Sequence, residues 1–214
     1  MKNHEDVLAI VEELKKLYPE GLCSLQYPKP YELLFSVRLA AQCTDERVNM
    51  VTPALFARFP TLESLAQADP AEVETYIHST GFSRAKARDI VLASQMLLRD
   101  YGGKVPDTME ELLKLPGVGR KTANLILGDV YHTPGVVVAD THCIRISNRL
   151  GLCDTKDPYK VEQQLKKLLP PEESNSFCHR LVLFGRDVCP ARSPHCESCP
   201  LKGSCPSFKT SAQT

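Results

Sequence analysis

The spacing of apolar residues is helical along almost the whole chain. In the first segment, apolar residues recur every three to four positions and charged residues separate them: Val7, Ile10, Val11 and Leu14. Similar patterns predict helices over 30–42, from 45, after 61, from 69, and over 83–101, 107–115, 119–131, 141–150, 158–169 and 173–187. One strand-like run, residues 136–139, lacks a partner and is interpreted as an extended buried segment. The pattern predicts an all-α fold.

Several predicted helices begin with residues that favour a helix start. Asp69 precedes Pro70, and proline is well accommodated at the first helical position. Thr108 is followed three residues later by Glu111, which is the spacing of a capping box. These residues support the helix boundaries that the apolar pattern predicts.

Composition and charge narrow the protein class only slightly. The chain has 214 residues, of which 43% are hydrophobic and 24% charged, as in an ordinary globular protein. No apolar run is long enough to span a bilayer, and the N-terminus has acids where a signal peptide has basic residues. We therefore expect an intracellular, membrane-free protein. Its net charge is zero, with −5 over residues 1–80 and +5 over 81–214, which is only weak support for a nucleic-acid partner.

The stretch "LPGVGRKTAN", residues 115–124, interrupts two helical patterns with a turn. Its glycines permit positive φ and the close approach of another group. Backbone N–H groups of Gly117, Val118 and Gly119 would lie at the positive end of the following helix, beside Arg120, where a phosphate is favoured. A helix corner that binds nothing is the alternative for so short a turn. The longer pattern Leu-x-x-Leu-Pro-Gly-Val-Gly-Arg-Lys-Thr-Ala is far more specific and matches the helix-hairpin-helix motif of DNA-repair proteins.

Lys121 lies in the first turn of the helix that follows the hairpin. The helix dipole and the neighbouring Arg120 both disfavour an ammonium there. A neutral lysine amine is a nucleophile that forms Schiff bases with carbonyl carbons. A second lysine that merely contacts phosphate is the alternative.

Asp140 follows the extended run, in "VVVADTHCIRISNRL", and precedes a helical pattern. Aspartate is a preferred N-cap residue, so capping is one interpretation. A carboxylate at the end of a buried segment is also suited to orienting a water or a lysine, or to stabilising positive charge on a sugar. His142 is interpreted as structural.

Together these segments resemble the endonuclease III family of DNA glycosylases, within the helix-hairpin-helix glycosylase superfamily. The resemblance rests on "LPGVGRKTAN" followed by "VVVADTH", on "LAAQCTDERVN" and "GFSRAKARDI" upstream, and on the terminal cysteines. It extends from about residue 30 to residue 205.

Nine cysteines are many for an intracellular chain, and four of them cluster near its end: Cys189, Cys196, Cys199 and Cys205. Their spacing, C-x6-C-x2-C-x5-C, suits either zinc or a [4Fe–4S] cluster about equally, and a disulfide framework is disfavoured in a reducing compartment. The family resemblance implies a [4Fe–4S] cluster. It also implies that the intervening loop offers Arg192 to DNA, although the family usually carries more positive charge there.

The resemblance implies two helical domains with the active site in the cleft between them. Residues 22–132 would form a bundle that includes the hairpin, and residues 1–21 and 133–214 a discontinuous cluster domain. It further implies a monomeric base-excision glycosylase with AP-lyase activity on double-stranded DNA that contains damaged bases, chiefly oxidised pyrimidines, or abasic sites. In a bacterium such an enzyme would be cytoplasmic and associated with the nucleoid.

In that family the lysine, here Lys121, attacks C1′ of a flipped-out nucleotide and the aspartate, here Asp140, assists. Gln42 matches the residue that fills the gap left by the flipped base, and Phe82 falls near a second wedge position. A polar helix-end residue and a core residue are the respective alternatives. Adenine-removing relatives lack the lysine, and a non-enzymatic DNA-binding protein would not need Lys121 together with Asp140.

Overall fold

The computed structural model describes residues 2–208, and within that range it is built from α-helices, with no β-strand. The all-α prediction is confirmed. The helices are α1 (His4–Leu17), α2 (Pro30–Leu39), α3 (Asp45–Arg58), α4 (Leu62–Ala66), α5 (Pro70–Ile77), α6 (Ser83–Tyr101), α7 (Met109–Leu112), α8 (Arg120–Asp129), α9 (Thr141–Arg149), α10 (Pro158–Leu168) and α11 (Ser174–Asp187). Three 3₁₀ turns also occur, at His78–Thr80, Pro171–Glu173 and Lys202–Ser204. No helix in the described range is long and apolar enough to cross a membrane.

Two helices end three residues earlier than the apolar pattern predicts. Helix α2 stops at Leu39, and a turn occupies the next three residues, of which Gln42 has a φ of 57°. Helix α7 is a single turn, Met109–Leu112, and only half of its predicted capping box forms. The Thr108 hydroxyl accepts from the Glu111 amide, but the Glu111 carboxylate binds Tyr101 and Lys114 instead of returning to the cap.

The chain divides into two compact units. One is continuous, Cys23–Tyr131, and the other combines Met1–Leu22 with His132–Thr214. In the continuous unit α6 packs against both α4 and α5, while α2 packs against α3 and α8. The buried side of α6 carries the residues Ser83, Lys86, Ala87, Ile90, Val91, Ala93, Ser94 and Leu97.

In the discontinuous unit α11 packs against α1 and α9. Arg180 of α11 is buried and ties down the chain that leaves α1, because its guanidinium donates to the carbonyls of Tyr18 and Pro19 at 3.0 and 3.2 Å. Glu173 lies 3.0 Å from Arg180 and 2.7 Å from Lys15, so one carboxylate joins the N-terminal helix to the C-terminal half. These contacts explain why the first helix belongs to a unit made mainly of later residues.

We predict that Glu173→Gln lowers the free energy of unfolding at neutral pH by about 1–3 kcal/mol. Burial raises the pKa of Glu173, but hydrogen bonds from Lys15 and Arg180 outweigh it and leave the pKa below its ordinary value of 4.5. Because the folded-state pKa is depressed, this stabilisation is present above the ordinary value and is lost as pH falls through the folded-state pKa. Denaturant unfolding of both proteins should therefore differ at pH 7 and converge in acid.

The matched control is Glu13→Gln, which removes a carboxylate paired at the surface with Lys16. It should leave the stability almost unchanged at either pH. A Glu173→Gln deficit that persists undiminished at the lowest pH at which both proteins fold would contradict the linkage.

Candidate functional site

The hairpin between α7 and α8 is a tight turn whose glycines are exposed. Gly117 has a φ of 74°, and α8 begins after Gly119, which provides no side-chain cap. The Val118 amide already donates to the Leu115 carbonyl at 3.2 Å. The phosphate-binding capacity predicted for all three hairpin amides therefore rests on Gly117, Gly119 and the first turn of α8. The N-terminus of α8 keeps its positive end open to an anion.

The hairpin packs directly on an ion pair between α2 and α6. Arg38 donates from Nε and Nη2 to one carboxylate oxygen of Asp89, at 2.9 and 2.8 Å. A Cβ on Gly117 would lie 2.6 Å from Arg38 Nε and 2.8 Å from Asp89 Oδ2. Glycine is therefore required at this position both for its positive φ and for the close approach of the ion pair.

Lys121 lies in the first turn of α8, with its side chain exposed. Arg120 precedes it and is half-buried. The neighbouring residues Ala123 and Asn124 are buried, so the helix places Lys121 at the surface beside the hairpin while its other face enters the core. The amine of Lys121 is therefore accessible from solvent on the same surface as the hairpin glycines.

Asp140 is the N-cap of α9, because its carboxylate accepts from the Cys143 amide at 2.7 Å. The buried run Val136, Val137 and Val138 leads into it, as the sequence predicts. The carboxylate itself is only half-buried, so capping leaves it accessible. Asp140 and Lys121 belong to different units.

His142 packs within its own unit against α11. A Cβ on Gly185 would collide with His142 Nδ1, and the ring also contacts Arg145 Nη2 at 3.2 Å. The ring is thus held by packing and by a cation, which agrees with the structural interpretation of His142.

Gln42 and Phe82 share two properties, which His132 and Ser193 also have in the described part of the chain. Each has left-handed backbone, with φ of 57° and 50°, and each side chain is exposed. Phe82 is 69% exposed, which excludes the core-packing alternative. A non-glycine residue in this region costs about 1–3 kcal/mol, and it persists where function requires it and the surroundings enforce it.

The four C-terminal cysteines line one cavity of about 620 Å³ in the discontinuous unit. Burial raises the pKa of both Cys199 and Cys205, and the sulfurs of the neighbouring cysteines raise it further. Backbone N–H groups of Leu201, Ser207 and Phe208 face these two thiols and partly offset the shift. Four cysteines on one cavity, two of them with backbone amides directed at their sulfurs, form a donor set suited to a cationic metal centre.

Two arginines of α9 anchor the cysteine segment, and the sequence analysis did not identify them. Arg149 donates to Cys189 Sγ at 3.1 Å, to the Pro190 carbonyl at 2.8 Å and to the Ala191 carbonyl at 3.0 Å. Arg145 donates to the Cys189 carbonyl at 3.1 Å. Arg145 and Arg149 are four residues apart, so they lie on one face of the helix that follows Asp140. This spacing is the feature of the sequence that could have identified them.

The structure therefore gathers the four cysteines around one cavity and places the hairpin, Gln42 and Phe82 on the exposed surface of the continuous unit. Arg192 lies on the cysteine loop and is exposed. These are the surfaces on which the predicted DNA contacts would have to form.

Comparison with known proteins identifies the class. Residues 35–171 match the model of the HhH-GPD superfamily, described as base excision DNA repair proteins. This range contains the hairpin, Lys121 and Asp140.

Two relatives and one solved structure narrow the class further. The chain is 49% identical to endonuclease III of Synechocystis sp. over 92% of its own length and 90% of the relative's. It is 41% identical to endonuclease III of Bacillus subtilis, over 96% and 94% of the two chains. A trapped covalent intermediate of an endonuclease III with DNA superposes with a TM-score of 0.91 at 41% identity, covering 97% of this chain and 98% of the other. The chain belongs to the endonuclease III family, which confirms the resemblance seen in the sequence.

Proposed function

We propose that the chain is a bifunctional DNA base-excision glycosylase with AP-lyase activity, acting on damaged pyrimidines and abasic sites in duplex DNA. The observation that carries this function is the exposed Lys121 in the first turn of α8, beside an open anion-binding hairpin, in a chain of the endonuclease III family. A related endonuclease III has been captured in a covalent DNA intermediate, which is the bond that a lysine nucleophile would form.

Lys121 is the nucleophile in this proposal. The damaged nucleotide leaves the base stack, because its C1′ is inaccessible within the duplex. The neutral Nζ attacks C1′, the glycosidic bond breaks and the base departs with the bonding electrons and a proton. Ring opening of the sugar then gives a Schiff base between Nζ and C1′. Removal of a C2′ proton expels the 3′ phosphate by β-elimination, and water releases Lys121 from the product.

Asp140 is the acid–base and electrostatic partner. Its carboxylate stabilises positive charge on the sugar as the base departs and handles protons during attack and elimination. The Cys143 amide donates to Asp140 Oδ1 at 2.7 Å, so the orientation of the carboxylate is set before DNA binds. Capping and catalysis are therefore compatible uses of the same group.

The DNA contacts follow from the exposed features of the two units. The hairpin amides of Gly117 and Gly119, with Arg120, bind a backbone phosphate without reading sequence. Gln42 fills the gap left by the flipped base, and Phe82 wedges into the neighbouring step. Arg192 adds a phosphate contact from the cysteine loop.

The cysteine cavity holds a [4Fe–4S] cluster in this proposal. Its four ligands would be Cys189, Cys196, Cys199 and Cys205, and their N–H···S environment fits thiolates bound to a cationic centre. The cluster supplies folding free energy to a segment that buries few side chains, and no catalytic step passes through it.

The test of the proposed activity is borohydride trapping on a duplex with one abasic site. Reduction of the Schiff base should leave a covalent protein–DNA adduct, and without borohydride the strand should be cut on the 3′ side of the site. A protein that removes thymine glycol yet forms no adduct would be a monofunctional glycosylase, and one that binds without either reaction would not be an enzyme.

We predict that Cys199→Ser loses the cluster and that its cysteine segment becomes unfolded. Serine provides a poor ligand for iron, and ligation energy here is folding energy. Iron and sulfide analysis should find about four of each per wild-type chain and a large loss in the variant. Limited trypsin digestion should then cut the variant rapidly at Arg192 or Lys202.

The matched control is Cys153→Ser, a buried cysteine of the same unit that does not line the cavity. It should retain the full iron content and resist trypsin. Zinc without iron in the wild-type protein would contradict the cluster assignment.

A further inference from the structure

A lysine is fully buried behind the two turns that carry Gln42 and Phe82. Lys86 of α6 has no exposed surface, and its Nζ donates to the carbonyls of Leu39 and Thr80 at 2.7 and 2.8 Å. Both acceptors are backbone groups in the same continuous unit. The ammonium therefore joins two segments that are 41 residues apart in sequence.

Stability alone is a weak reason for a lysine at this position. Lysine is almost never fully buried without a charged partner, and here its two acceptors are neutral carbonyls. Burial accordingly lowers the pKa of Lys86. An apolar side chain of similar volume would avoid desolvating a charge here, although it would leave the two carbonyls without this donor.

The two acceptor carbonyls lie close in sequence to the turns that carry Gln42 and Phe82. Leu39 is the last residue of α2, three residues before Gln42, and its carbonyl is one of those that a helix C-terminus leaves unpaired. Thr80 ends the 3₁₀ turn His78–Thr80, two residues before Phe82. A cation at a helix C-terminus is also favoured by the helix dipole.

The backbone of Lys86 also contacts Phe82. Its amide donates to the Phe82 carbonyl at 3.1 Å, which is the first regular hydrogen bond of α6 and does not depend on the lysine side chain. Left-handed backbone at a non-glycine residue persists only where the surroundings over-determine it. The side chain of Lys86 contributes to that constraint for Phe82 through Thr80 and for the Gln42 turn through Leu39.

We propose that Lys86 is a positioning residue, which holds the Gln42 and Phe82 turns in fixed relation so that both side chains enter the DNA stack together. The inference rests on the proposed function, since it assigns Lys86 a role in the base-flipping step of that reaction. It does not make Lys86 a group that touches DNA, because its side chain is fully buried.

The first experiment uses Lys86→Met, which keeps the length of the side chain and removes both donors. The control is Ser94→Ala, which deletes another buried hydrogen bond of α6, from Ser94 Oγ to the Ile90 carbonyl at 2.8 Å. Hydrogen exchange of the DNA-free proteins should accelerate at residues 40–43 and 80–82 in Lys86→Met and remain at the wild-type rate there in Ser94→Ala. Equal exchange in the two variants would overturn the positioning role.

The second measurement follows base unstacking and turnover on DNA. With 2-aminopurine placed opposite an abasic-site analogue, the wild type should raise its fluorescence and Lys86→Met should not. The value of kcat/KM for incision should fall about 10–100-fold in Lys86→Met, as expected for misplacement of groups by about 1 Å. The Ser94→Ala control should keep both the fluorescence change and the wild-type kcat/KM.

A double-mutant cycle separates positioning from general destabilisation. In a background that lacks both wedges, Gln42→Ala with Phe82→Ala, adding Lys86→Met should cost little further turnover, because its effect acts through the missing side chains. A full additional loss would show that Lys86 serves only the core and would overturn the proposal. If Lys86→Met does not fold, Lys86→Leu, which also lacks both donors, enters the same cycle, and unchanged fluorescence and turnover in that folded variant would overturn the proposal.

The failures of this inference and of the proposed function are distinguishable. A wild-type protein that forms no borohydride adduct and gives no fluorescence change refutes the glycosylase assignment, and this inference with it. A wild-type protein that does both, with Lys86→Met indistinguishable from Ser94→Ala, refutes the positioning role alone.

Discussion

Replacement of Lys121 by alanine should abolish the covalent adduct and lower incision of abasic-site DNA by about a thousandfold or more. The Schiff base requires an amine that reaches C1′, and alanine leaves none at this position in the first turn of α8. The side chain is exposed, so its removal should not create a cavity, and thermal unfolding should match the wild type.

The control for this prediction is Lys114→Ala, which removes an equal charge from the same helix-hairpin-helix segment. Lys114 is an exposed lysine that pairs with Glu111 at 2.6 Å. Its alanine variant should trap on abasic-site DNA as the wild type does. Full trapping by Lys121→Ala would instead show that another amine is the nucleophile and that Lys121 only contacts phosphate.

Replacement of Asp140 by asparagine should slow turnover about 100-fold while DNA affinity and thermal stability stay near the wild-type values. Asparagine is as good an N-cap as aspartate, so the bond from the Cys143 amide is retained and only the charge and its proton handling are lost. Single-turnover incision, fluorescence anisotropy with abasic-site DNA and thermal unfolding measure the three quantities separately.

Alanine at the same position removes both the cap and the charge. Asp140→Ala should therefore share the slow turnover of Asp140→Asn and also lose about 1 kcal/mol of stability. If Asp140→Asn turned over normally and only Asp140→Ala were impaired, the carboxylate would serve as a cap and not in the reaction.

Features that rest on local chemistry could be read from the sequence. A helical period recurs in almost every segment, because one face of each helix must be buried, and this predicted the all-α fold. The hairpin glycines predicted a turn before α8. Gly117 indeed adopts a positive φ, which residues other than glycine rarely adopt. Asp140 followed by a helical pattern predicted the N-cap that is found.

Features that depend on distant partners could not be read in this way. The pattern continues through Ala40 and Ala41, so helix α2 is expected to reach Gln42. It ends at Leu39, whose carbonyl is bound by Lys86, 47 residues later in the chain. A contact over this sequence distance leaves no signal in the local spacing of apolar residues.

Side-chain exposure was equally out of reach. Phe82 is an apolar residue at a helix start, and such residues are ordinarily buried in the core. Its side chain is nevertheless 69% exposed. Lys86 lies in the charged run "RAKAR" and would ordinarily be solvated, yet it occupies the buried stripe of α6. In each case tertiary packing outweighs the preference of the side chain for the core or for water. The hydrogen-bonded turn that precedes α6 fixes the directions of both side chains.

The sequence by itself therefore determined the helical class, the hairpin, the nucleophile candidate and the four thiols. Each of these features depends only on residue types and on their spacing within a short segment. Tertiary structure alone decided that Arg149 anchors the cysteine segment, that Arg38 and Asp89 support Gly117, and that Lys86 ties two turns together. Apart from Lys86 to Thr80, these contacts join residues 28 to 79 positions apart, and only the packing of helices against one another brings such groups within hydrogen-bond or van der Waals distance.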